Sequence, residues 1–265
     1  MDYYSGSPDR GCPGDPFTMP RAPFLILALV LTASPAASAQ RMEAASLVTP
    51  FSAAKPGTAL PSGWEVLLLG SSKTPTDYKF VDDGGEVVLS AHAEAAASAL
   101  NSRVKFDVKA APVIQFRWKV ASLISGADNR VASKEDSPVR IVLGFDGDRS
   151  KLTLGEKTTS LLAKSATGRD LPYAQLIYVW ANNYPVGTVI PNPHTKRVQM
   201  VVATSGAANV GKWVALSRNV VEDFKKAFGE EPGTLIDVGI MTDTDNTGAT
   251  VDAWYGDIRF VSTPP

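Results

Sequence analysis

Two adjacent stretches of the chain alternate apolar and polar side chains without interruption. In residues 104–109 and 114–120 every second residue is apolar, and the residues between are charged or polar. A β-strand directs alternate side chains to opposite faces, so this period predicts two strands with one face in a core and the other in water. The predicted inward-facing residues are Val104, Phe106, Val108, Ile114, Phe116, Trp118 and Val120. Gln115, Arg117 and Lys119 are predicted to face water.

Shorter apolar segments bounded by turn residues predict further strands. Residues 78–81 and 86–91 flank the sequence Asp-Asp-Gly-Gly, which predicts a hairpin because glycine adopts the positive φ of a tight turn. The other predicted strands cover residues 64–69, 139–145, 174–180, 197–204, 235–241 and 251–261.

Helices are few in this pattern. A short helix is predicted at 157–164, and a clearer one follows a cap at Ser217 or Asn219 and stops at Gly229. About ten short strands with one or two short helices predict an all-β fold, an antiparallel β-sandwich of jelly-roll type.

The first 39 residues are predicted to be an upstream extension and a signal peptide. A basic start at Met19-Pro20-Arg21 precedes an apolar run at 24–31 and small residues at Ala37 and Ala39, which is the layout of a cleavable export signal. The apolar run is too short to span a bilayer, which needs about 20 residues. We expect translation to begin at Met19, cleavage after Ala39 and a periplasmic or secreted product. Residues 40–265 are predicted to form one domain.

Charge and cysteine content narrow the classes of partner. Residues 40–265 contain equal numbers of basic and acidic side chains, so no nucleic-acid partner is predicted. Cys12, the single cysteine, precedes the predicted start, so the mature protein must depend on its core, which at this size buries roughly 70% of the unfolded surface. No membrane span is predicted, and the sequence gives no oligomeric state.

The densest group of carboxyl residues lies in the sequence Thr-Asp-Thr-Asp-Asn-Thr-Gly. Asp243, Asp245 and Thr247 match alternate ligand positions of a calcium loop, but Trp254 stands where that loop needs a bidentate glutamate. Three interpretations remain open: a polar turn whose side chains bond their own backbone, a structural calcium site, and a pair of catalytic acids. His92 and His194 lie in no zinc or hydrolase motif.

Aromatic and planar polar side chains outside the core form a candidate ligand platform, because sugar rings pack on flat aromatic surfaces and bond planar polar groups. The candidate ligand-binding residues are Arg117, Tyr178, Trp180, Tyr184 and Tyr255. Tyr255 is predicted to face outward because alternation places Trp254 in the core. The alternative for Tyr178 and Trp180 is a core position, since they share one face of their strand.

Several runs of residues carry a resemblance to a known family. They are 116–120 (Phe-Arg-Trp-Lys-Val), 178–180 (Tyr-Val-Trp), Trp213 with 217–220 (Ser-Arg-Asn-Val), 228–229 (Phe-Gly), 240–247 (Ile-Met-Thr-Asp-Thr-Asp-Asn-Thr) and 255–258 (Tyr-Gly-Asp-Ile). These runs resemble the bacterial exported family catalogued as domain of unknown function 3047. One departure is Glu135-Asp136, where paired aspartates are expected. The resemblance implies an envelope location and a compact β-fold, and it supplies no catalytic residues.

The last predicted strand also resembles the end of carbohydrate-binding jelly rolls of the galactose-binding-like type. In those modules a terminal aspartate and an early-strand carboxylate hold a structural calcium, which implies Asp257, with Glu65, as ligands. The candidate metal ligands are therefore Asp243, Asp245 and Asp257, and the candidate ion is calcium.

Three functions are consistent with these observations. The first is an exported, non-catalytic binding protein for carbohydrate or cell-envelope glycan. The second is a glycoside hydrolase or lyase that uses two aspartates from the segment 243–257. The third is an envelope structural or protein-interaction domain.

Overall fold

Two β-sheets form the framework of the part of the chain that the structure describes. The computed structural model describes residues 47–60, 62–70, 72–167 and 170–262. In chain order its strands are β1 (Trp64–Leu68), β2 (Asp77–Asp82), β3 (Val87–Glu94), β4 (Ala97–Phe106), β5 (Val113–Val120), β6 (Ser137–Phe145), β7 (Ala174–Ala181), β8 (Val189–Pro191), β9 (Val198–Ser205), β10 (Val214–Asn219), β11 (Leu235–Asp243), β12 (Thr250–Tyr255) and β13 (Arg259–Val261). Helix α1 (Leu154–Thr167) lies between β6 and β7, and helix α2 (Val220–Phe228) directly follows β10.

The strands form a seven-stranded and a six-stranded sheet. The first has the order β1-β4-β11-β6-β7-β9-β8, and the second has the order β10-β5-β12-β3-β2, with β13 also paired to β5. The pairs between these strands are antiparallel, apart from β7 and β9, which run parallel. The predicted antiparallel β-sandwich of jelly-roll type is confirmed.

Aromatic side chains from both sheets meet in the core. Phe116 of β5 stacks on Tyr178 of β7 with ring centroids 5.7 Å apart, and Trp118 lies 6.5 Å from Trp180. Trp118 Nε1–H donates to Thr204 Oγ1 at 3.1 Å, so this buried indole has a hydrogen-bond acceptor. The apolar residues of β5 face inward as the alternation predicts, and Phe106 packs partly buried against the same core.

The sequence pattern misses the first half of β4 and the whole of β8 and β10. Residues 97–102 of β4 are buried on both faces and are mostly alanine, serine and asparagine, so they lack the alternation by which a half-buried strand is recognised. Helix α2 begins and ends where predicted: Asn219 Oδ1 accepts the Val221 and Glu222 backbone N–H groups at 3.1 and 3.2 Å, and Gly229 ends it with a φ of 71°.

The predicted strand 251–261 is interrupted, and this reverses one orientation. Strand β12 ends at Tyr255 and β13 begins at Arg259. The three residues between them are not extended strand. An alternation of inward and outward residues counted back from Phe260 therefore assigns the wrong face to each residue of β12. Tyr255 is fully buried and Trp254 lies half-buried on the outer face. The prediction that Tyr255 faces outward is therefore wrong.

The predicted leader, the start at Met19 and the cleavage site after Ala39 lie outside the described residues. Within the described part of the chain, neither helix has the length and apolar character needed to cross a membrane.

Candidate functional site

A row of aromatic and cationic side chains crosses the outer face of the six-stranded sheet. Trp213 directly precedes β10, whose register with β5 places it beside Lys119, and Lys119 is in register with Trp254 of β12. Lys119 Nζ lies 5.2 Å from the ring centroid of Trp213 and 4.5 Å from that of Trp254. Neighbouring strands lie about 4.8 Å apart, so this aromatic row, Trp213-Lys119-Trp254, runs at right angles to the strands.

The turn between β2 and β3 supplies carboxylates to this face. Lys119 Nζ donates to both carboxylate oxygens of Asp83, at 2.8 and 2.9 Å. Trp213 Nε1–H also donates to Asp83, and Glu86 forms an ion pair with Arg117. The hydrogen bonds from Lys119 and Trp213 hold the pKa of Asp83 below its usual range, so its carboxylate stays ionised at neutral pH.

A trough of about 470 Å³ lies beside the aromatic row. Its floor is the row Ala215-Arg117-Gly256, where Ala215 is in register with Arg117 and the Gly256 N–H donates to the Arg117 carbonyl at 3.0 Å. The depression exists because the residues on either side of Arg117, Ala215 and Gly256, have small side chains or none. We call it the outer trough.

The far wall of the outer trough is polar. It is the row Ser217-Gln115-Arg259, in register across β10, β5 and β13. Gln115 and Lys119 are four residues apart along β5, so the polar wall and the aromatic row are about 14 Å apart at roughly 3.4 Å per residue. The trough therefore offers a polar wall and a floor that carries a guanidinium group, and the aromatic row lies outside it, beyond Arg117 on the side of Lys119.

Gly256 determines how Arg117 lies in the trough. A Cβ atom at Gly256 would stand 2.5 Å from both Cγ and Nε of Arg117, far inside van der Waals contact. The missing side chain lets Arg117 extend along the end of β12, with Cζ 4.5 Å from the centroid of Trp213. The cation and the indole thus form one continuous surface.

Asp257 lies at one end of the trough and not beside the other predicted metal ligands. Its Oδ1 accepts the Ser52 backbone N–H at 3.0 Å, and its Oδ2 accepts the Ser52 hydroxyl at 2.7 Å and Arg259 Nη2 at 3.3 Å. Asp257 therefore fastens the segment around Ser52 to the sheet. Among the described residues, the carboxylates that offer oxygens within 4.8 Å of one another include Asp243 and Asp245 but not Asp257. The calcium site that the resemblance implies for Asp257 with Glu65 stays a prediction.

A second cluster of charged groups is buried at the end of β11. Arg140 donates from Nε and Nη2 to the two oxygens of Asp243, each at 2.9 Å, and from Nη1 to Glu135 Oε1 at 3.0 Å. The side chains of Arg140 and Asp243 are 3% and 4% exposed. We call this group, with Asp136, Asp245 and the exposed Lys73 at its edge, the buried network.

Asp136 holds the aspartate-rich loop in place. Its Oδ1 accepts the backbone and side-chain N–H groups of Asn246 at 3.2 and 3.1 Å, and its Oδ2 accepts the Thr247 N–H and hydroxyl at 2.7 and 2.6 Å. Both oxygens are therefore occupied by donors from the loop. Thr247 donates its hydroxyl proton to Asp136, which differs from the cation-facing oxygen that a calcium loop requires.

Three carboxylates of the buried network are close enough to hold a cation. Asp136, Asp243 and Asp245 each offer an oxygen within 4.8 Å of the others. The same carboxylates already have partners of the protein: Arg140 on Asp243, loop donors on Asp136, and Lys73 Nζ on Asp245. Lys73 brings a positive charge directly to this cluster, and the hydrogen bond and charge of Asp245 raise the pKa of the Lys73 ammonium group.

Burial and charge act in opposite directions on Asp243. Burial, reinforced by the neighbouring carboxylates of Asp136 and Glu135, raises the pKa of Asp243 to about 7, although Arg140 favours the ionised form. Burial also opposes the charge of Arg140, but the carboxylates of Asp243 and Glu135 raise the pKa of its guanidinium group above the ordinary value. The arginine therefore stays charged while Asp243 takes up a proton near neutral pH.

Comparison with known proteins assigns the family. The model of the family described as protein of unknown function (DUF3047) matches residues 62–259. The chain belongs to this family. No curated protein matches it.

Three solved structures are similar to this DUF3047 chain in fold. The xyloglucanase domain of NopAA, a type three effector from Sinorhizobium fredii, in complex with cellobiose, has a TM-score of 0.43 and 8% identity over 79% of this chain and 97% of its own. SGBP-B from a complex xyloglucan utilization locus in Bacteroides uniformis has a TM-score of 0.33 and 10% identity over 82% of this chain and 50% of its own. The Emp47p carbohydrate recognition domain has a TM-score of 0.34 and 11% identity over 80% of this chain and 92% of its own.

The structure brings only one of the five predicted ligand-binding residues to the outer trough. Arg117 lies on its floor. Tyr178, Trp180 and Tyr255 are at most 1% exposed between the sheets, so their rings offer no surface to a ligand and the core alternative for Tyr178 and Trp180 is the observed position. Tyr184 follows β7 in the other sheet, where its hydroxyl donates to Asp128 at 2.6 Å.

Sequence reasoning missed both tryptophans of the aromatic row. Trp213 lies beside β10, which the sequence pattern does not predict, so no face could be assigned to it. Trp254 was assigned to the core because the alternation was counted through the interruption between β12 and β13. The usable signal was in β5, where the outward positions Gln115, Arg117 and Lys119 are the central members of the polar wall, the floor of the trough and the aromatic row beside it.

Proposed function

We propose that this DUF3047 protein is an exported, non-catalytic binding protein for carbohydrate, and that the glycan lies in the outer trough. The observation that carries the proposal is the placement of a half-buried tryptophan pair beside a floor and a wall of planar polar side chains. Sugars present apolar C–H faces and a belt of hydroxyl groups, so they need both kinds of surface on the same face of the protein. The regular register of β10, β5 and β12 fixes these groups on a rigid sheet.

Export rests on the sequence of the leader. The basic start, short apolar run and small residues before Gln40 are the basis of this part of the proposal. Detection of the mature protein in a periplasmic or culture fraction, with an amino terminus at Gln40, would support it. A mature protein that begins at Met1 would contradict it.

A catalytic role for the aspartates has less support. A general acid needs a raised pKa and access to its substrate. Asp243 has the raised pKa, but its carboxylate is enclosed and held by two bonds from Arg140. Asp252 is exposed and pairs with His92 Nδ1 at 2.6 Å on the sheet surface.

The proposal is tested by titrating soluble glycans and cell-wall fragments into the mature protein and following tryptophan fluorescence and heat. We expect binding to at least one neutral polysaccharide and a fluorescence change. Trp213→Ala and Trp254→Ala should each weaken binding about tenfold, as expected for the loss of a central aromatic contact.

Tyr184→Phe is the matched control, because it alters an aromatic residue that was also a candidate but lies on the other sheet. It should leave affinity unchanged. Binding that survives both tryptophan substitutions in folded protein would move the site elsewhere, and no binding across the panel would overturn the glycan role in favour of a structural or protein-interaction role.

A further inference from the structure

We infer that the outer trough selects an uncharged, linear polysaccharide that lies across the strands, with about three sugar units in contact with the protein. This inference rests on the proposed function and adds the class of glycan. Two features carry it: the pairing of every charge around the trough, and the direction in which the trough runs.

The charged side chains around the trough form three pairs. Lys119 is bonded to Asp83, Arg117 to Glu86, and Arg259 to Asp257 at 3.3 Å. Three cations thus face three carboxylates, and the site has no formal net charge. An anionic sugar therefore meets three carboxylates as well as three cations, gains no net electrostatic attraction, and must compete with an existing partner for each cation.

Paired charges suit neutral sugars for a positive reason. A sugar hydroxyl both donates and accepts a hydrogen bond. A guanidinium group beside a carboxylate offers a donor and an acceptor side by side, so one pair can bind adjacent hydroxyl groups without being separated. Arg117 with Glu86 on the floor of the trough provides such a pair. Arg259 at the end of the trough adds a second guanidinium donor, while both oxygens of its partner Asp257 already accept hydrogen bonds.

The direction of the trough predicts the shape of the ligand. Its floor and polar wall follow rows in register across β10, β5 and the β12–β13 segment, so it runs perpendicular to the strands. Among the described strands β10 pairs only with β5, and the trough therefore opens at the edge of the sheet. An extended chain can enter there and lie along the aromatic row, with the Arg117 guanidinium group beside it.

The spacing of the tryptophans predicts the number of units. Trp213 and Trp254 are two interstrand spacings apart, about 10 Å, with Lys119 between them. One pyranose unit of an extended chain advances by about one interstrand spacing. The indoles therefore contact units n and n + 2, and the unit between them lies over Lys119 and Asp83.

The experiment compares a neutral glycan that binds with its own carboxymethylated derivative, and then a size series of the neutral oligosaccharide. We expect the neutral polymer to bind at least about tenfold more tightly, and its Kd to change less than about twofold between about 50 mM and about 500 mM salt. Affinity should rise steeply up to about three units and little beyond.

Glu86→Gln gives a readout that a purely structural role would not produce. This variant leaves Arg117 without its carboxylate, so it should gain affinity for the carboxymethylated polymer, and that affinity should fall with salt. Wild-type protein that prefers the anionic derivative, or whose neutral binding is salt-dependent, would overturn the inference while leaving the glycan role intact. Equal affinity for one unit and for three would also overturn it. Failure of every glycan to bind would instead overturn the proposed function.

Discussion

The outer trough and the buried network are built from the same chemistry in different surroundings. Each consists of a cation bonded to carboxylates: Lys119 to Asp83 in the trough, and Arg140 to Asp243 in the network. The trough pair is 15% and 31% exposed, whereas the network pair is 3% and 4% exposed. Water can replace a lost partner in the first case but not in the second.

This difference in exposure gives the two regions different roles. In the buried network Arg140, Asp243 and Asp136 are each held by several protein donors or acceptors, and these bonds fix the loop after β11 in one conformation. In the trough the charge pairs can exchange water for sugar hydroxyls while remaining paired. The aspartate-rich loop therefore stabilises the fold, and the candidate binding surface is formed by other residues.

The largest expected effect is on stability. At pH about 8, where Asp243 is ionised, Arg140→Met leaves the Asp243 and Glu135 carboxylates buried without their cation. We expect a loss of about 3–5 kcal/mol in the free energy of unfolding, measured by chemical denaturation. Lys119→Met, the matched change in the trough, should cost less than about 1 kcal/mol because its partner Asp83 remains accessible to water.

Equal losses for the two variants would contradict the comparison. If Arg140→Met does not fold, Arg140→Lys provides the same test, because lysine keeps the charge but cannot form the two parallel bonds to Asp243. The free energy of unfolding of Arg140→Lys should be lower than that of wild type and of Lys119→Met, but the variant should still fold.

The next effect is a pH dependence that has opposite sign in the two regions. Folded Asp243 binds its proton more tightly than the unfolded chain does, since its pKa is raised from 3.8 to about 7. Its contribution to stability is therefore complete below about pH 4 and is lost as the pH rises to about 7, by up to about 1.4 kcal/mol per pH unit. Asp83 has a lowered pKa, so its contribution is present at neutral pH and is lost only in acid.

Asp243→Asn checks this assignment. The amide imitates the neutral carboxyl group, so the variant should lose the decline of unfolding free energy between pH about 5 and about 7. Asp83→Asn should retain the decline, because Asp83 does not titrate in that interval. A decline that persists unchanged in Asp243→Asn would assign the titration to another group.

Alternation predicted the layers of the fold well because it reports directly on burial. Strand β5 has one core face and one solvent face, and every one of its residues from 114 to 120 lies as predicted. Residues 97–102 of β4 were missed because small side chains there are buried on both faces. A period of two cannot mark a strand that has no solvent face.

The site was less predictable because it is made by register between distant strands. Trp213, Lys119 and Trp254 are far apart in sequence and become neighbours only through the pairing of β10, β5 and β12. The sequence shows which side of β5 faces water, but not which strands lie beside it. In the aspartate-rich loop the sequence does show which carboxylates lie close together, Asp243 and Asp245. It does not show their partners Arg140, Lys73 and Asp136, which determine their chemistry and lie in other parts of the chain.

The smallest expected effect concerns calcium at the buried network. Lys73 already supplies a positive charge to Asp245, and loop donors occupy both oxygens of Asp136. We therefore expect no measurable change in the melting temperature of the wild-type protein when calcium or a chelator is added. A calcium-dependent rise in wild type would restore Asp243 and Asp245 as metal ligands.

Lys73→Gln sharpens the same test, because it removes the ammonium group and leaves the carboxylates of Asp136, Asp243 and Asp245 facing one another. This variant should melt at a lower temperature, and calcium should recover part of the loss, by about 2–4 °C for each kcal/mol of binding free energy. Lys79→Gln, which alters an exposed pair with Asp77 elsewhere on the sheet, is the control and should show no response to calcium. If Lys73→Gln also fails to respond, the three oxygens are too fully bonded to the loop and to Arg140 to accept an ion, and the network is closed to cations whatever occupies the position of the lysine.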